Sequence, residues 1–301
     1  MKRFLFGLVI LSLLLTACGS QQQQTQKGGA FIGGTSGLIA SFEPISPKEG
    51  NLYTIFDTED FSLDIKLKNK GEENVPIGKA TVHVLGPQPE LFQNIPAWQL
   101  VNKGQVEKIS EFNPDGGEEV IPFASSNGAK YIGSVTGFTD ITWNAEYWYD
   151  YKTYLIINDV CFKGDLTDPK VCEVKQAKTY SVSGAPITVT AVDEDSAGRG
   201  VVVLKITVRN AGTGKATAQG EDFDTRFDKV TYMIDEPAKW ECKSGGRENE
   251  ARLVDGTAQI ICRLKVPLAD QDLFTKQLRL TFGYVYKDLV QEKLRIKESV
   301  R

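Results

Sequence analysis

The feature that most constrains the fold of this chain is a short segment that occurs twice and carries apolar residues at every second position. Residues 63–71 and 204–212 share the pattern L-x-I-x-[LV]-[KR]-N-x-G. Strict alternation is typical of a β-strand with one buried face. Asn and Gly suit the tight connection that ends such a strand, because both tolerate positive φ angles. The pattern predicts an all-β fold.

A second similarity between the two halves of the chain predicts a duplication. Residues 147–152 and 282–287 both carry aromatic side chains at alternate positions. The first pair of segments is offset by 141 residues and the second by 135, so one unit occurs twice with small changes in its loops. Repetition at this length indicates tandem domains. We therefore expect Ile65 and Ile206 to occupy the same core position in two separate sandwiches, with the adjacent lysines facing water.

The two Asn-x-Gly strands resemble those of the immunoglobulin-like, adhesion-type domains of bacterial and archaeal surface proteins that are called CARDB-like. The resemblance covers most of residues 37–301 in rhythm and only the short repeated segments in identity, and fibronectin type III and related sandwiches share the rhythm. It implies two tandem immunoglobulin-like, Greek-key β-sandwich domains, at 37–176 and 177–301. It also implies a role in display, spacing or adhesion, since the family has no catalytic residues to carry over.

The first seventeen residues have the layout of a signal peptide. Lys2 and Arg3 give a positive start, and residues 4–15 are almost entirely apolar, which is typical of a secretory signal. The apolar run is shorter than the roughly twenty residues that a membrane-spanning helix needs. Leu-Thr-Ala-Cys at 15–18 resembles the lipobox of prokaryotic lipoproteins. This resemblance implies removal of residues 1–17, lipidation of Cys18, and a membrane-anchored place on the extracytoplasmic side of a bacterial or archaeal envelope.

Residues 18–36 are interpreted as the lipidated cysteine and a flexible Gln- and Gly-rich tether, because no aliphatic or aromatic residue follows Cys18 before Ala30 and Phe31. Such a segment cannot bury enough apolar surface to offset its ordering entropy. The chain carries 35 basic and 39 acidic residues, a formal net charge of −4, which gives no reason to expect nucleic acid. The expected partners are the membrane, through Cys18, and other envelope or surface proteins.

Four cysteines remain beside Cys18, namely Cys161, Cys172, Cys242 and Cys262. An even number in an exported protein indicates disulfides. Three pairings are possible, and proximity in the sequence favours Cys161–Cys172 and Cys242–Cys262. Zinc is disfavoured, because neither pair has a tight spacing such as C-x-x-C.

The sequence offers no positive case for an enzyme. His83 is the only histidine, and alternation places its side chain opposite those of Val82 and Val84, toward solvent. A Ser-His-Asp or Cys-His arrangement could be built only around His83, and no G-x-S-x-G sequence or phosphate-binding glycine loop accompanies it. We therefore expect no catalytic residues and no cofactor.

Two acidic stretches, at 193–195 and 221–228, are candidates for a calcium site. Ca²⁺ takes hard oxygen ligands at alternating loop positions, and the second stretch supplies Asp222, Asp224 and Asp228. Neither stretch has a calcium-loop motif with a glycine at the turn and a terminal glutamate. Solvated acidic loops between strands are the favoured interpretation, and calcium on these three aspartates is the alternative.

The aromatic segment at 143–154 indicates one residue with a binding role. Alternation places the three tyrosines of 147–151 on one face, as core residues, and leaves Trp148 on the other. Flat aromatic faces beside polar groups can hold sugars. Our first hypothesis is a structural or interaction protein without catalytic activity. The second is a module that binds envelope glycan or another ligand through Trp148 or Trp98 in a groove between the domains.

Overall fold

The computed structural model describes residues 30–86, 88–169, 172–224 and 226–299, so the expected signal peptide, Cys18 and most of the expected tether lie outside the described residues. Within these ranges the chain is nearly all β, with 56% in strands, which confirms the all-β prediction. The one short exception is a 3₁₀-helix at Pro89–Leu91 in this described part. No helix in the described ranges is long and apolar enough to cross a membrane.

Strands follow one another along the whole described chain. Those of the first half are β1 (Leu38–Phe42), β2 (Lys48–Glu49), β3 (Leu52–Phe56), β4 (Asp60–Phe61), β5 (Asp64–Asn69), β6 (Ala80–Leu85), β7 (Phe92–Gln93), β8 (Gln99–Val101), β9 (Glu118–Pro122), β10 (Ala129–Tyr131) and β11 (Phe138–Lys163). Those of the second half are β12 (Gln176–Ala177), β13 (Tyr180–Val182), β14 (Ile187–Ser196), β15 (Val202–Asn210), β16 (Lys215–Thr217), β17 (Phe227–Ile234), β18 (Trp240–Ser244), β19 (Arg247–Glu248), β20 (Glu250–Val254), β21 (Thr257–Leu264) and β22 (Leu273–Lys297).

The two longest strands, β11 and β22, pair with each other along almost their whole lengths. Their antiparallel register runs from Phe138 opposite Lys297 to Lys163 opposite Leu273. They have 26 and 25 residues, whereas strands in globular proteins are usually about 3–10 residues long. Both alternate apolar with polar residues over most of this length, which favours strands. We call this pair the central ribbon.

In the first half of the molecule, a three-stranded sheet, β1-β5-β9, packs against the ribbon. There the ribbon is extended by β6 and β8 beside β11, and by β3, which runs parallel to the last residues of β22. Leu67 of β5, Val82 of β6 and Tyr149 of β11 are buried between the two layers. The end of β22, from the second half of the sequence, therefore supplies a strand to the first-half sandwich.

In the second half of the molecule, β12, β14, β15, β21, β20, β17 and β22 follow one another as hydrogen-bonded neighbours in a single sheet, and β18 pairs with β21. The same sheet continues into β11, whose end also pairs with β13. The end of β11, from the first half of the sequence, is thus part of the second-half sheet. The buried side chains of both halves form one connected cluster.

The duplicated strands occupy equivalent core positions. Ile65 lies in β5 and Ile206 in β15, each strand is flanked by antiparallel neighbours on both sides, and both isoleucines are fully buried. The adjacent Lys66 and Lys205 are partly exposed and each forms an ion pair with a nearby carboxylate, at 2.6 and 2.7 Å. Both isoleucines are therefore core residues and both lysines reach the surface, as the alternation predicts; their equivalence in two separate sandwiches stays a prediction.

Each duplicated strand ends in the same hydrogen-bonded corner. The Asn69 side-chain oxygen accepts hydrogen bonds from the backbone N–H two residues later (3.1 Å) and from the Tyr151 hydroxyl (3.0 Å). The Asn210 side-chain oxygen accepts the same two bonds, from the N–H two residues later (3.1 Å) and from the Tyr286 hydroxyl (3.1 Å). In each half, the repeated strand and the alternating aromatic segment are therefore in contact, because the last aromatic residue of the segment donates a hydrogen bond to the asparagine that ends the strand.

Both predicted disulfides are present. Cys161 of β11 is bonded to Cys172, with their Cα atoms 5.8 Å apart. Cys242 of β18 is bonded to Cys262, which stands opposite it in β21, with the Cα atoms 3.9 Å apart. The buried Lys163 donates hydrogen bonds from Nζ to two carbonyls of the first disulfide loop, at 2.7 and 2.6 Å, and so closes that loop a second time.

The domain boundary expected at residues 176 and 177 stays a prediction. These two residues form β12, which pairs with β14 of the second half. Through the central ribbon each half of the sequence contributes hydrogen-bonded residues to the other half. The two units are therefore joined by shared strands as well as by the connecting chain.

Candidate functional site

The outward face of the central ribbon carries polar and aromatic side chains, because alternation turns the intervening residues into the core. Trp148 of β11 lies opposite Lys287 of β22 and Thr81 of β6. Trp148 is half-buried, whereas the tyrosines on either side of it are buried. The ammonium of Lys287 is 2.9 Å from the Oε2 atom of Glu146, two residues before Trp148. Trp148 therefore lies on the outward face, with charged groups beside its ring.

A cavity of about 380 Å³ opens on this face next to Lys287. Phe223 and Lys215 line it from the second half, and Glu146 lines it from the first. The Lys287 ammonium is 5.9 Å from the ring centroid of Trp148 and 5.6 Å from that of Phe223, both within the range of a cation–π contact. The Trp148 ring does not line this cavity and is connected to it through the Lys287 ammonium. We call the cavity and the adjacent ring together the Trp148 pocket.

A second cavity, of about 420 Å³, lies along the same face of the ribbon. Its lining includes the ion pair between Lys79 and Asp150, whose Nζ and Oδ2 atoms are 3.0 Å apart. Gly283 stands between Lys152 of β11 and Thr231 of β17, and it has no side chain to cover the strands. We call this cavity the Gly283 pocket.

The two pockets occupy equivalent places in the duplicated unit. The offset of 135 residues that relates the aromatic segments places Trp148 on Gly283 and Lys152 on Lys287. In the ribbon, Trp148 faces Lys287 and Gly283 faces Lys152. A pseudo-twofold axis therefore passes between the pockets, at the pair Asp150–Val285. The duplicated unit has diverged at this position, since one pocket has an indole ring where the other has an open floor.

Tyrosines fill the inward face of the ribbon beneath the two pockets. Tyr149 faces Tyr286 and Tyr151 faces Tyr284, with ring centroids 5.9 and 6.4 Å apart. Burial raises the pKa of the Tyr149 and Tyr284 hydroxyls well above the ordinary value of 10.0. The Tyr284 hydroxyl is 2.9 Å from Oγ1 of Thr153. This close-packed layer supports the floor of both pockets.

Trp98, the other tryptophan predicted to bind a ligand, lies on the inward side of the sheet. Its ring stacks on that of the fully buried Trp143, with centroids 6.2 Å apart, and it packs against the core. Trp143 and Trp148 point to opposite faces of β11, because they are separated by an odd number of residues. The structure therefore does not bring Trp98 and Trp148 into one site.

Two of the three aspartates of the calcium alternative, Asp224 and Asp228, are engaged by different partners. Asp228 is buried and accepts hydrogen bonds from Nδ2 of Asn210 (3.1 Å) and from a backbone N–H (2.8 Å). Asp224 accepts two bonds from the Arg226 side chain (2.9 and 3.1 Å), which lower its pKa to about 2. No cluster of three potential metal ligands occurs in the described ranges. The structure does not assemble a calcium site from Asp222, Asp224 and Asp228.

The structure also describes His83 and the acidic stretch at 193–195. His83 is half-buried on the outward face of β6, opposite Glu146, while the flanking valines are buried. In the other acidic stretch, the Glu194 carboxylate is buried as an ion pair with Lys178 and accepts a hydrogen bond from the Cys161 N–H (2.8 Å). This stretch therefore contributes an internal ion pair. The expected lipidation site, Cys18, lies outside the described residues.

Glu72, which the sequence did not single out, binds the start of the described chain. Its carboxylate accepts hydrogen bonds from the backbone N–H groups of Ile32 (2.9 Å), Gly33 (2.9 Å) and Gly184 (2.7 Å). The side chain is buried. Its partners are backbone groups 39 to 112 residues away, so no local pattern could have identified it.

The end of the expected tether is attached at the junction of the two halves. Phe31 stacks on the Tyr154 ring, with centroids 6.4 Å apart, and the Gly34 carbonyl accepts a hydrogen bond from the Ala185 N–H (3.3 Å). We call residues 31–34, held by these contacts and by Glu72, the strap. The strap joins the first strands of the body to the segment that opens the second half.

Comparison of the two aromatic segments predicts the Gly283 pocket, whereas the alternation of side chains along the strand does not. The offset between the aromatic segments places glycine at the position of Trp148, and such a loss of a large side chain indicates open space on a sheet. No equivalent signal marked Phe223, because its approach to Lys287 depends on how a loop of the second half folds over the ribbon.

Comparisons with known proteins give little information about this chain. No protein-family model matches it, and no curated protein matches it. Among solved structures, it is similar to the secreted serine protease VesC from Vibrio cholerae at 10% identity, with a TM-score of 0.19. The match covers 84% of this chain and 51% of that protein, so the chain spans about half its length. At this TM-score the similarity supports no inference about fold or activity.

Proposed function

We propose that this chain is a lipid-anchored cell-surface protein with a structural or interaction role, of the adhesion or envelope-assembly type, and without catalytic activity. In this proposal Cys18 holds it in the membrane, and two immunoglobulin-like sandwiches, from residues 37–176 and 177–301, are presented to other envelope or surface proteins. The observation that supports the proposal most directly is the strap, by which the tether region enters the folded body.

The strap is a suitable attachment point for a tethered body. Any pull along the tether reaches the body first at residues 31–34. There, three backbone hydrogen bonds converge on the buried carboxylate of Glu72, and two of them come from the strap itself. The third comes from Gly184, so the load is shared between the two halves that the central ribbon already joins.

The tether also limits how far the body stands from the membrane. Ala30 is twelve residues further along the chain than Cys18, and a fully extended chain spans at most about 3.3–3.6 Å per residue, or about 40 Å in all. Ala30, next to the strap, therefore lies within this distance of the lipid, close enough for contacts between the body and other proteins of the same surface.

The anchor is tested by the substitution Cys18→Ala. The variant should accumulate as an uncleaved or soluble product that no longer partitions into detergent, and labelled fatty acid should be incorporated into the wild type but not into this variant. Several acyl chains on one cysteine are needed for a durable anchor, because a single chain binds marginally. The double variant Cys161→Ala/Cys172→Ala, which retains Cys18, should still take up the label. If Cys18→Ala still partitions with membranes and the wild type is never labelled, the lipoprotein proposal is wrong.

A second candidate function, the binding of an envelope glycan or another ligand, is favoured by the Trp148 pocket. It combines a half-buried indole, an ion pair and a cavity on an outward face. Co-purification from cross-linked envelopes, with a glycan array as its control, separates the two functions. A protein partner supports the first, and glycan binding that depends on Trp148 supports the second.

A further inference from the structure

We propose that the Trp148 pocket and the Gly283 pocket are two subsites of one groove that binds a linear, uncharged polysaccharide chain. The proposal rests on the second candidate function, ligand binding at Trp148. It adds the class of ligand and a second subsite, which the duplication placed on the other side of the pseudo-twofold axis.

The two pockets have the spacing of subsites for an extended ligand. Both lie on the outward face of β11 and β22, and Lys287 and Gly283, one in each pocket, are four residues apart in β22. At about 3.3 Å per residue this separation is about 13 Å. The pair Asp150–Val285 lies between them. A chain that runs along the ribbon reaches both pockets, whereas a compact ligand reaches one.

The hydrogen bonding of the ribbon disfavours an extended peptide as the ligand. At the level of Trp148, β11 pairs with β6 and β22, and β22 also pairs with β16. At this level the backbone groups of both strands are therefore occupied by neighbouring strands, and a peptide cannot be added beside Trp148 by strand pairing. The groove offers side chains instead. An aromatic face can contact the C–H face of a sugar ring, while carboxylates and ammonium groups bond its hydroxyls.

The charges of the groove indicate a neutral ligand. The Gly283 pocket has two acidic and two basic side chains in its lining, those of Glu73, Asp150, Lys79 and Lys152. The Trp148 pocket has the same balance in Glu146, Asp288, Lys215 and Lys287. Asp224, which also lines it, is neutralised by Arg226. A groove without net charge exerts no long-range attraction on an anionic polymer.

The one large difference between the subsites assigns them different roles. Trp148 provides a stacking surface, whereas Gly283 leaves the floor of its pocket open. A Cβ atom at Gly283 would approach the Thr231 hydroxyl to 3.0 Å, so even alanine would begin to fill the floor. Contact with Trp148 therefore contributes affinity for a ligand of any length, and the Gly283 pocket contributes only when the ligand is long enough to cross the axis.

The test is isothermal titration of the purified full-length protein with β-1,4-linked glucose oligomers and N-acetylglucosamine oligomers, from the disaccharide upward. For at least one series, affinity should increase with length and then level off. Trp148→Ala should weaken the binding of every length by about tenfold or more. Lys152→Ala should weaken the binding of long oligomers and leave that of the disaccharide unchanged. Phe112→Ala is the control, because Phe112 is 98% exposed and lines neither pocket.

Three results would overturn the proposal: no binding in either series, equal affinity of the wild type and Trp148→Ala, or an affinity independent of length. Unfolding curves of each variant establish that it is folded. The anchor proposal is measured separately by detergent partitioning of Cys18→Ala. A titration without binding therefore says nothing against the lipid anchor. A negative result for the anchor likewise does not affect the conclusion drawn from the titration.

Discussion

At the scale of single residues, the buried tyrosines of the ribbon couple its stability to alkaline pH. Tyr149 and Tyr284 are 1% exposed, and burial raises the pKa of both hydroxyls well above 10.0, because an ionised phenol would lose its hydration there. In the unfolded chain the same groups ionise near pH 10. Unfolding at high pH therefore releases protons.

We expect the free energy of unfolding to fall steeply above about pH 10. A folded-state pKa above the unfolded value means that this stabilisation is fully present below pH 10 and is lost as the pH rises further. Tyr149→Phe should make the fall shallower. Denaturant unfolding from about pH 8 to about pH 11, together with tyrosinate absorbance, measures the effect. Tyr131→Phe controls for removal of a hydroxyl elsewhere, and identical slopes for the wild type and Tyr149→Phe would contradict the explanation.

Glu72→Ala should loosen the strap and destabilise the body. Removing the carboxylate leaves three backbone N–H groups without their acceptor, and an unsatisfied buried donor costs about 1–3 kcal/mol. Because water can reach some of these groups, we expect a total loss of about 2–4 kcal/mol and faster proteolysis within residues 31–34. The control is Glu73→Ala, since Glu73 accepts one side-chain bond, from Tyr154 (3.0 Å). Equal losses of stability in the two variants would show that the three hydrogen bonds to Glu72 stabilise the body no more than the single bond to Glu73 does.

At the scale of secondary structure elements, the duplicated corner explains why each repeated strand ends where it does. Asn210 bonds the N–H two residues later and the carbonyl four residues later, so its side chain satisfies backbone groups that the end of β15 leaves unpaired. Tyr286 fastens this turn to β22. The same arrangement joins Asn69 to Tyr151 and thus β5 to β11.

The corner should behave as one unit when it is mutated. Asn210→Ala and Tyr286→Phe should each cost about 1–3 kcal/mol. The double variant should cost clearly less than the sum of the two, because both substitutions remove the same bond. Denaturant unfolding of the four proteins in this cycle gives the coupling energy. The pair Asn69→Ala and Tyr151→Phe supplies a matched cycle in the other half. Additive losses in both cycles would mean that the bond between hydroxyl and amide contributes nothing to stability.

At the scale of the whole molecule, the ribbon changes the expected response to core mutations. Two separate cores predict that Ile65→Ala and Ile206→Ala each lower the melting transition of one domain. The buried residues instead form one cluster, and each half contributes residues to the sheets of the other. The two isoleucines therefore belong to a single core, although they are in different halves of the sequence.

We expect one cooperative thermal transition that either substitution lowers. Truncating a fully buried isoleucine to alanine typically costs about 2–5 kcal/mol. Differential scanning calorimetry should show the whole peak moving for both Ile65→Ala and Ile206→Ala. The surface substitution Lys66→Ala is the control and should shift it little. Two resolved peaks, each moved by only one of the isoleucine variants, would favour independent sandwiches and contradict the cooperative interpretation.

The pseudo-twofold axis gives the chain the form of a symmetric dimer within one polypeptide. Symmetric dimers use the same surface patch on both partners, and here the equivalent strands β11 and β22 pair with each other around Asp150–Val285. The fused form allows the two copies to differ, as they do at Trp148 and Gly283. In a dimer of identical chains the two positions would carry the same residue.

Much of the local structure followed from the sequence alone. Alternation in β5 and β15 identified Ile65 and Ile206 as core residues, and alternation in β11 placed Trp148 outward, because side-chain direction along a strand is set by backbone geometry and depends on no distant partner. The close spacing of the cysteines predicted both disulfides. Strand pairing, in contrast, depends on contacts between residues far apart in the chain, so only the tertiary structure decided that β11 and β22 pair across both halves. It likewise decided that Glu72 holds the strap, that Trp98 packs on the core while Trp148 lies beside Lys287 on the outward face, and that Asp222, Asp224 and Asp228 do not form a metal-binding cluster.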